Sequence, residues 1–250
     1  YLNTLYKRQI PIFLVSAIFR HNQHFFRWYG TLFRKILRNI TWVFVQDEAS
    51  QKVLDSIGIK NHSISGDTRF DRVYEIAMQV EEIPLIQQFK QDGKLFIAGS
   101  TWKEDEKLLI ELINNNVTDL LAGQAGLKFI IAPHEIKEEN IQRIISQIKH
   151  KAIRFSEAKD EEIGDAKVLI IDNMGMLSSL YQYGDIAYIG GGFGKGIHNI
   201  LEAAAFGMPV VFGPNYYKFR EANDLIEKGG AFSIENYTEL ENKVRFFLSD

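Results

Sequence analysis

Residues 190–224, with the strand that runs into them, constrain this chain more than any other stretch. Ile186 to Ile189 is a short apolar strand, and three glycines, Gly190, Gly191 and Gly192, follow it at once. Gly194 and Gly196 keep the loop open. His198 and Asn199 then open a predicted helix with Leu201, Ala204 and Ala205 on its apolar face. Gly207 ends that helix, Met208-Pro209 turns the chain, and Val210 to Phe212 reads as a second buried strand. A strand, loop, helix and strand in succession place the two strands parallel in one sheet. Glycines let backbone approach a ligand closely, and a helix N-terminus offers free N–H groups to an anion. Glu202, near the helix start, is placed to accept hydrogen bonds from ribose hydroxyls. A polar aromatic run, 215–219, follows the second strand. An ordinary crossover turn has the same outline, so the functional reading needs the rest of the chain.

That rest repeats the theme. Ile10 to Val15, Thr41 to Val45 and Asn61 to Ser65 read as strands joined by short helical steps, with Asp47 as an N-cap and Gly58 past the last turn of one helix. Residues 72–92 are helical, then polar, and end in Gln91-Asp92-Gly93, the best linker candidate. A second series of strands follows at Leu95–Ala98, Lys128–Ala132, Val168–Ile171, Ile186–Ile189, Val210–Phe212 and Ala231–Ser233. Strands alternating with helices predict an α/β chain with two parallel sheets. The predicted division is 1–86 and 87–250, the first part holding only about half of a doubly wound domain.

Ligands of open α/β sheets sit beyond the carboxyl ends of the strands. In the second series those ends carry Ser100-Thr101, Pro133-His134, Asp172-Asn173-Met174-Gly175-Met176, the glycine loop, and Gly213-Pro214-Asn215. Ser100 and Thr101 are phosphate-binding candidates or helix caps. His134 is a donor to phosphate or a structural histidine. Gly175 lets backbone reach a base edge, with Met174 and Met176 free to pack on its face or in the core.

Charge is uneven. Residues 1–46 hold seven Lys or Arg and no acidic residue, leaving 22 basic and 32 acidic residues for the remainder. The apolar spacing predicts a helix over Phe25 to Leu37, with Arg27, Arg34, Lys35 and Arg38 on its other side. Such a helix lies on an anionic membrane surface or packs with a solvated basic face, and the sequence leaves both open. No nucleic-acid motif accompanies the charge.

Other chemistries are disfavoured. The chain has no cysteine, which excludes disulfides and thiolate metal sites. It has no GxxxxGK[ST] loop, no GxSxG and no HExxH. No apolar run reaches the roughly 18 residues of a membrane span. The chain begins with Tyr1, which predicts a piece of a longer protein.

Four elements, Gly66-Asp67-Thr68-Arg69-Phe70-Asp71, Gly99-Ser100-Thr101, Asp172-Asn173-Met174-Gly175-Met176-Leu177 and GGGFGKGIHNILEAAAFGMPVVFGPNYYKF, resemble the 3-deoxy-D-manno-octulosonic acid (Kdo) transferase family in the family's order. The resemblance implies a GT-B fold of two Rossmann-like domains, the N-terminal one incomplete here. It implies inverting, metal-independent transfer of Kdo from CMP-Kdo to a lipid A precursor, at the cytoplasmic face of the bacterial inner membrane. No cofactor is expected, because CMP-Kdo is a substrate. By position, Ser100, Thr101, Pro133, His134, Met174, Gly175, Met176, Gly191, Gly192, Asn199 and Glu202 match the donor-nucleotide rim, with Glu202 holding the ribose. Arg20, Arg69 and Lys195 are candidates for acceptor or phosphate binding, and Arg27, Arg34, Lys35 and Arg38 for the membrane surface. The family carries Pro-Arg-His where this chain has Pro133-His134-Glu135, so His134, Lys195 or Arg69 is expected to replace an arginine. The family's general base, a Glu in the first part of the N-terminal domain, and its C-terminal closing helices are expected to lie outside this chain. The chain is therefore expected to bind CMP-Kdo with negligible transfer. A related UDP-sugar glycosyltransferase and a non-catalytic membrane-associated module are the alternatives.

Overall fold

In the computed structural model, residues 1–115 and 126–249 are described. The chain divides into two compact units, Tyr1–Arg72 and Val73–Asp250.

The first unit holds a parallel sheet of order β1-β2-β3, with β1 at Phe13–Ala17, β2 at Trp42–Val45 and β3 at His62–Ile64. Its helices are α1 (Leu2–Lys7), α2 (Thr31–Arg38) and α3 (Glu48–Ser56). One face of the sheet is covered: Val43, Val45, Leu37, Val53 and Leu54 form a small buried core. On the opposite face Phe13, Val15 and Trp42 remain exposed. Asp47 caps α3, its Oδ1 accepting the Ser50 N–H at 2.6 Å. Helix α4 (Thr68–Met78) runs across the division between the units.

The helix predicted over 25–37 is broken. Residues His24–Phe26 form one 3₁₀ turn, and α2 begins only at Thr31. Gly30 is the cause. A Cβ there would lie 2.3 Å from the His24 carbonyl oxygen and 2.7 Å from that of Phe25, so only glycine permits the turn. Apolar spacing alone does not register such a turn.

The second unit is a seven-stranded parallel sheet of order β10-β9-β8-β4-β5-β7-β6. Its strands are β4 (Leu95–Thr101), β5 (Lys128–Pro133), β6 (Ala152–Arg154), β7 (Val168–Ile170), β8 (Ile186–Ile189), β9 (Val210–Phe212) and β10 (Ala231–Ser233). Every described residue of β7, β8 and β9 is buried, as befits a parallel sheet covered on both faces. The helices are α5 (Pro84–Lys90), α6 (Lys103–Asn114), α7 (Glu138–Gln147), α8 (Asp160–Ile163), α9 (Leu177–Leu180), α10 (Leu201–Ala204), α11 (Arg220–Glu227) and α12 (Tyr237–Ser249). The boundary expected at 86/87 falls inside α5. Ile86 and Phe89 of that helix are fully buried in the core of the second sheet, which draws it into the second unit. Strand β6, absent from the sequence reading, is a three-residue, half-buried edge. Among the described residues no helix is long and apolar enough to cross a membrane.

Candidate donor-binding site

Strand order locates the site. Strand β4 is central; the chain leaves it on one side for β5, β6 and β7, then returns to its other side for β8, β9 and β10. The winding reverses between β4 and β8, and a crevice opens beyond the strand ends at such a reversal. The chain there is glycine-rich because backbone meets backbone. A Cβ on Gly190 would lie 2.3 Å from the Ser100 carbonyl oxygen, and the Gly190 N–H donates to the Gly99 carbonyl at 2.9 Å. Gly191 has φ +92°, in the left-handed region.

Strand β4 departs from regular pairing with β5 between Gly99 and Thr101, and Ser100 sits at φ +54°. A non-glycine residue in that region is an energetic cost held in place by its surroundings. The same device closes β1, where pairing shifts between Leu14 and Ala17 and Ser16 has φ +57°.

Three rings gather at the crevice. The indole Nε1–H of Trp102 donates to His198 Nε2 at 2.9 Å, and the two rings lie nearly coplanar, 12° apart. His134 stacks on both, its ring centroid 4.5 Å from each. Since Nε2 of His198 is an acceptor, the proton of the neutral imidazole is on Nδ1. Burial lowers the pKa of His198, and neighbouring His134 lowers it further, against a smaller opposing effect of Asp105. A pocket of about 360 Å³ adjoins these rings, lined also by Glu104, Gly191, Gly194, Lys195 and Gly196.

Two consecutive acids at the start of α6 hold this arrangement. Asp105 is fully buried, with Oδ2 accepting the Gly191 N–H and the Trp102 N–H, both at 2.9 Å, and Oδ1 accepting the Tyr188 hydroxyl at 2.7 Å. Burial pushes its carboxyl pKa up, while the three donors act in the other direction. Glu106, equally buried, accepts the Thr101 hydroxyl at 3.2 Å and pairs with Arg143. Neither acid stands among the candidates from sequence. The available signal was Asp105 three residues after Trp102, the spacing of an acid that reaches back to cap a helix.

The expected rim residues fare differently. Thr101 is 1% exposed and its hydroxyl is committed to Glu106, so its expected contact with phosphate gives way to a structural one. Ser100 is half-buried; Pro133 ends β5, and the His134 N–H bonds to the Thr101 carbonyl at 2.9 Å. Gly191 and Gly192 are buried within the loop. Met174 is exposed, Gly175 adopts φ +92°, and Met176 is partly packed against the core. The helix expected from His198 begins at Leu201 and lasts one turn, so its N-terminus adds little to anion binding. Asn199 instead organises the turn: Nδ2 donates to Glu202 Oε1 at 2.8 Å, and Oδ1 accepts the Leu201 N–H at 3.2 Å.

In the first unit the expected cations have local partners. Arg20 pairs with Asp47 at 3.3 Å and Arg69 with Asp67 at 2.6 Å. Arg34 donates to the carbonyls of Phe25 and Arg27 and to the Thr31 hydroxyl, and Arg27 Nε donates to the Asn22 carbonyl. The expected four-cation helical face is therefore divided: Arg27 precedes α2, Arg34 braces the turn around Gly30, and Lys35 and Arg38 are exposed.

The family model described as 3-deoxy-D-manno-octulosonic-acid transferase (kdotransferase) matches residues 1–72. The 3-deoxy-D-manno-octulosonic acid transferase of Rickettsia felis is 26% identical over 247 residues, covering 97% of this chain and 52% of the relative. That of Aquifex aeolicus is 28% identical over 244 residues, covering 96% and 61%. The chain is similar to the Kdo transferases along nearly its whole length. It spans about half the length of the curated relatives it matches. Two solved structures bear on the fold. The C-terminal CMP-Kdo binding domain of WaaA from Acinetobacter baumannii aligns with TM-score 0.52 at 20% identity, over 72% of this chain and 89% of that one. The UDP-GlcNAc 2-epimerase of Methanocaldococcus jannaschii aligns with TM-score 0.63 at 16% identity, over 100% and 66%. The fold is α/β and GT-B-like, with a Rossmann-like parallel sheet in each unit.

Proposed function

We propose that this chain takes part in transferring Kdo from CMP-Kdo to a lipid A precursor, its second unit holding the donor nucleotide. One observation carries the reading. The pocket beside Trp102 and His198 opens at the β4/β8 reversal, where an open α/β sheet takes its ligand. The relatives named as Kdo transferases support Kdo as the group transferred, and the WaaA neighbour, described as a CMP-Kdo binding domain, supports CMP-Kdo as its donor.

In this reading the Asn199–Glu202 pair receives the ribose hydroxyls, since a carboxylate already fixed by an amide accepts without reorganising. His134, exposed on its stack, takes the place of the family's arginine toward the phosphate. The residues from Met174 to Met176 face the base with an open backbone at Gly175. The reaction needs no cofactor, and acceptor binding falls to the basic first unit at the inner membrane's cytoplasmic face.

Thermal denaturation of the chain with CMP and with UDP tests the reading. CMP is expected to raise the midpoint and UDP to raise it less. A larger shift with UDP favours a UDP-sugar enzyme instead, and no shift with either removes the nucleotide site.

A further inference from the structure

We infer that Lys195, Tyr217 and Lys218 form a second subsite, which takes the carboxylate of the donor's acidic sugar beside the pocket that takes its nucleotide. The inference rests on the donor reading above and goes beyond it in assigning where the sugar acid is recognised.

The glycine loop has two sides. One borders the pocket with Trp102 and His198; the other borders a separate cleft of about 540 Å³ lined by Gly194, Lys195, Asn215, Tyr217 and Lys218. Gly194 and Lys195 line both, so the two cavities share one wall. A single ligand with two parts fits two cavities that meet at a common edge.

The cleft is built from two loops locked together. Asn215 donates its backbone N–H to the Gly192 carbonyl and its side-chain Nδ2 to the Gly194 carbonyl, both at 2.9 Å. The Phe219 ring lies against Gly196, 2.8 Å from where a Cβ would be. The loop after β9 therefore cannot drift from the loop after β8, and the lysines that they carry border one fixed cleft.

Its charge is uncompensated. Among the described residues no carboxylate lies within 4.0 Å of Lys195 or Lys218, whereas Lys52, Lys60, Lys90, Lys94 and Lys137 each have one. Two ammonium groups lining one cleft attract an anion, and each binds it as a strongly hydrated point charge. The third wall is aromatic. Tyr217 is 73% exposed, and its ring is stacked on Tyr216 with centroids 4.4 Å apart. An exposed ring supported from one side offers an apolar face to the C–H surface of a sugar ring. Ammonium groups beside an aromatic face suit a carboxylate-bearing sugar better than a neutral hexose.

The same ammonium groups suit the donor's phosphate, so the experiment separates the two anions. Isothermal titration of the full chain with CMP and with freshly prepared CMP-Kdo gives the increment due to the sugar. Wild-type chain is expected to bind CMP-Kdo about tenfold tighter than CMP, the equivalent of about one charge-assisted hydrogen bond. Lys218→Met keeps the aliphatic stem and lies outside the nucleotide pocket. It is expected to remove most of that increment while CMP affinity stays within about twofold. Lys218→Arg restores it, and Tyr217→Ala reduces it. An equal loss for CMP and CMP-Kdo in Lys218→Met assigns the lysine to phosphate and overturns the inference; an unchanged increment overturns it too. If wild-type chain binds CMP but gains nothing from the sugar, the subsite fails and the nucleotide reading stands. If it binds neither, both fall.

Discussion

Asp105 accepts the backbone N–H of Gly191 at 2.9 Å, tying the first turn of α6 to the loop beyond β8. The carboxylate is buried, so the bond is made in a medium where losing it is expensive. It fixes the glycine loop from below, and the same oxygen caps α6 at Trp102. One residue thus sets both the loop and the indole that holds His198.

Asp105→Asn keeps the shape of the side chain and loses the anion. An amide nitrogen also faces one of the donors that the carboxylate accepted. Unfolding in urea is expected to show a loss of about 2–3 kcal/mol, the cost of leaving buried donors unpaired. Tyr188→Phe removes one donor and is expected to cost about 1 kcal/mol. An Asn variant as stable as wild type means that the loop holds its form without the carboxylate.

Stability is expected to fall with acid through the histidine range. The folded-state pKa of His198 lies below its unfolded value, chiefly through burial and then through His134. Near and below the unfolded value of about 6.5, the unfolded chain binds the proton more readily than the folded one. The contribution of this group is thus complete above that value and lost as pH falls through the folded pKa. Urea titrations between pH 7.5 and 5.5 give the slope, which for one proton is at most about 1.4 kcal/mol per pH unit. His198→Gln is expected to flatten it; a slope unchanged in that variant places the titrating group elsewhere.

Glu202→Ala is expected to weaken CMP binding by about 1–3 kcal/mol, because ribose hydroxyls would lose their acceptor in a partly buried site. Asn199→Ala removes the amide that holds the carboxylate and is expected to weaken CMP by less than Glu202→Ala does. Calorimetry decides it. Affinity within twofold of wild type for a folded Glu202→Ala makes that side chain structural.

Arg34→Met and Lys35→Met separate bracing from membrane attraction. Arg34 holds two backbone carbonyls and a hydroxyl, so its loss is expected to destabilise the first unit by about 1–2 kcal/mol. Lys35 is exposed and its change is expected to shift stability by less than about 0.5 kcal/mol. Sedimentation with vesicles of anionic lipid tests the rest. Lys35→Met with Arg38→Met is expected to reduce binding, and unchanged binding argues that this segment does not meet the bilayer.

Much of the architecture was legible because its signals are local. Short apolar runs ended by Gly, Asn or Asp gave the central strands of the second sheet, and Asp47 announced a cap that the structure contains. The break at Gly30 was not legible, since the apolar spacing runs through it while the carbonyls that crowd it depend on the fold. The rim was legible as a set of strand ends. The commitments of its side chains were not. Thr101 reads as a phosphate ligand until Glu106 turns out to lie beneath it, and Arg20 and Arg69 read as free cations until Asp47 and Asp67 meet them. Lys218 lay inside the polar aromatic run 215–219 but had no role of its own there, because a lone lysine after a strand is ordinary until a neighbouring loop brings Lys195 to the same cleft.

The order of strands in the second sheet also governs when the crevice comes into being. Strand β4 pairs with β8 through partners such as Phe96 and Ile186, far apart along the chain. Closing so long a segment before its contacts reward it is slow, and a polypeptide leaving the ribosome has β4 in hand long before β8. The crevice is therefore expected to form late, after β5, β6 and β7 have emerged. Nucleotide added during refolding is expected to find no partner until β4 and β8 pair, which makes binding a clock for the closing of the crevice.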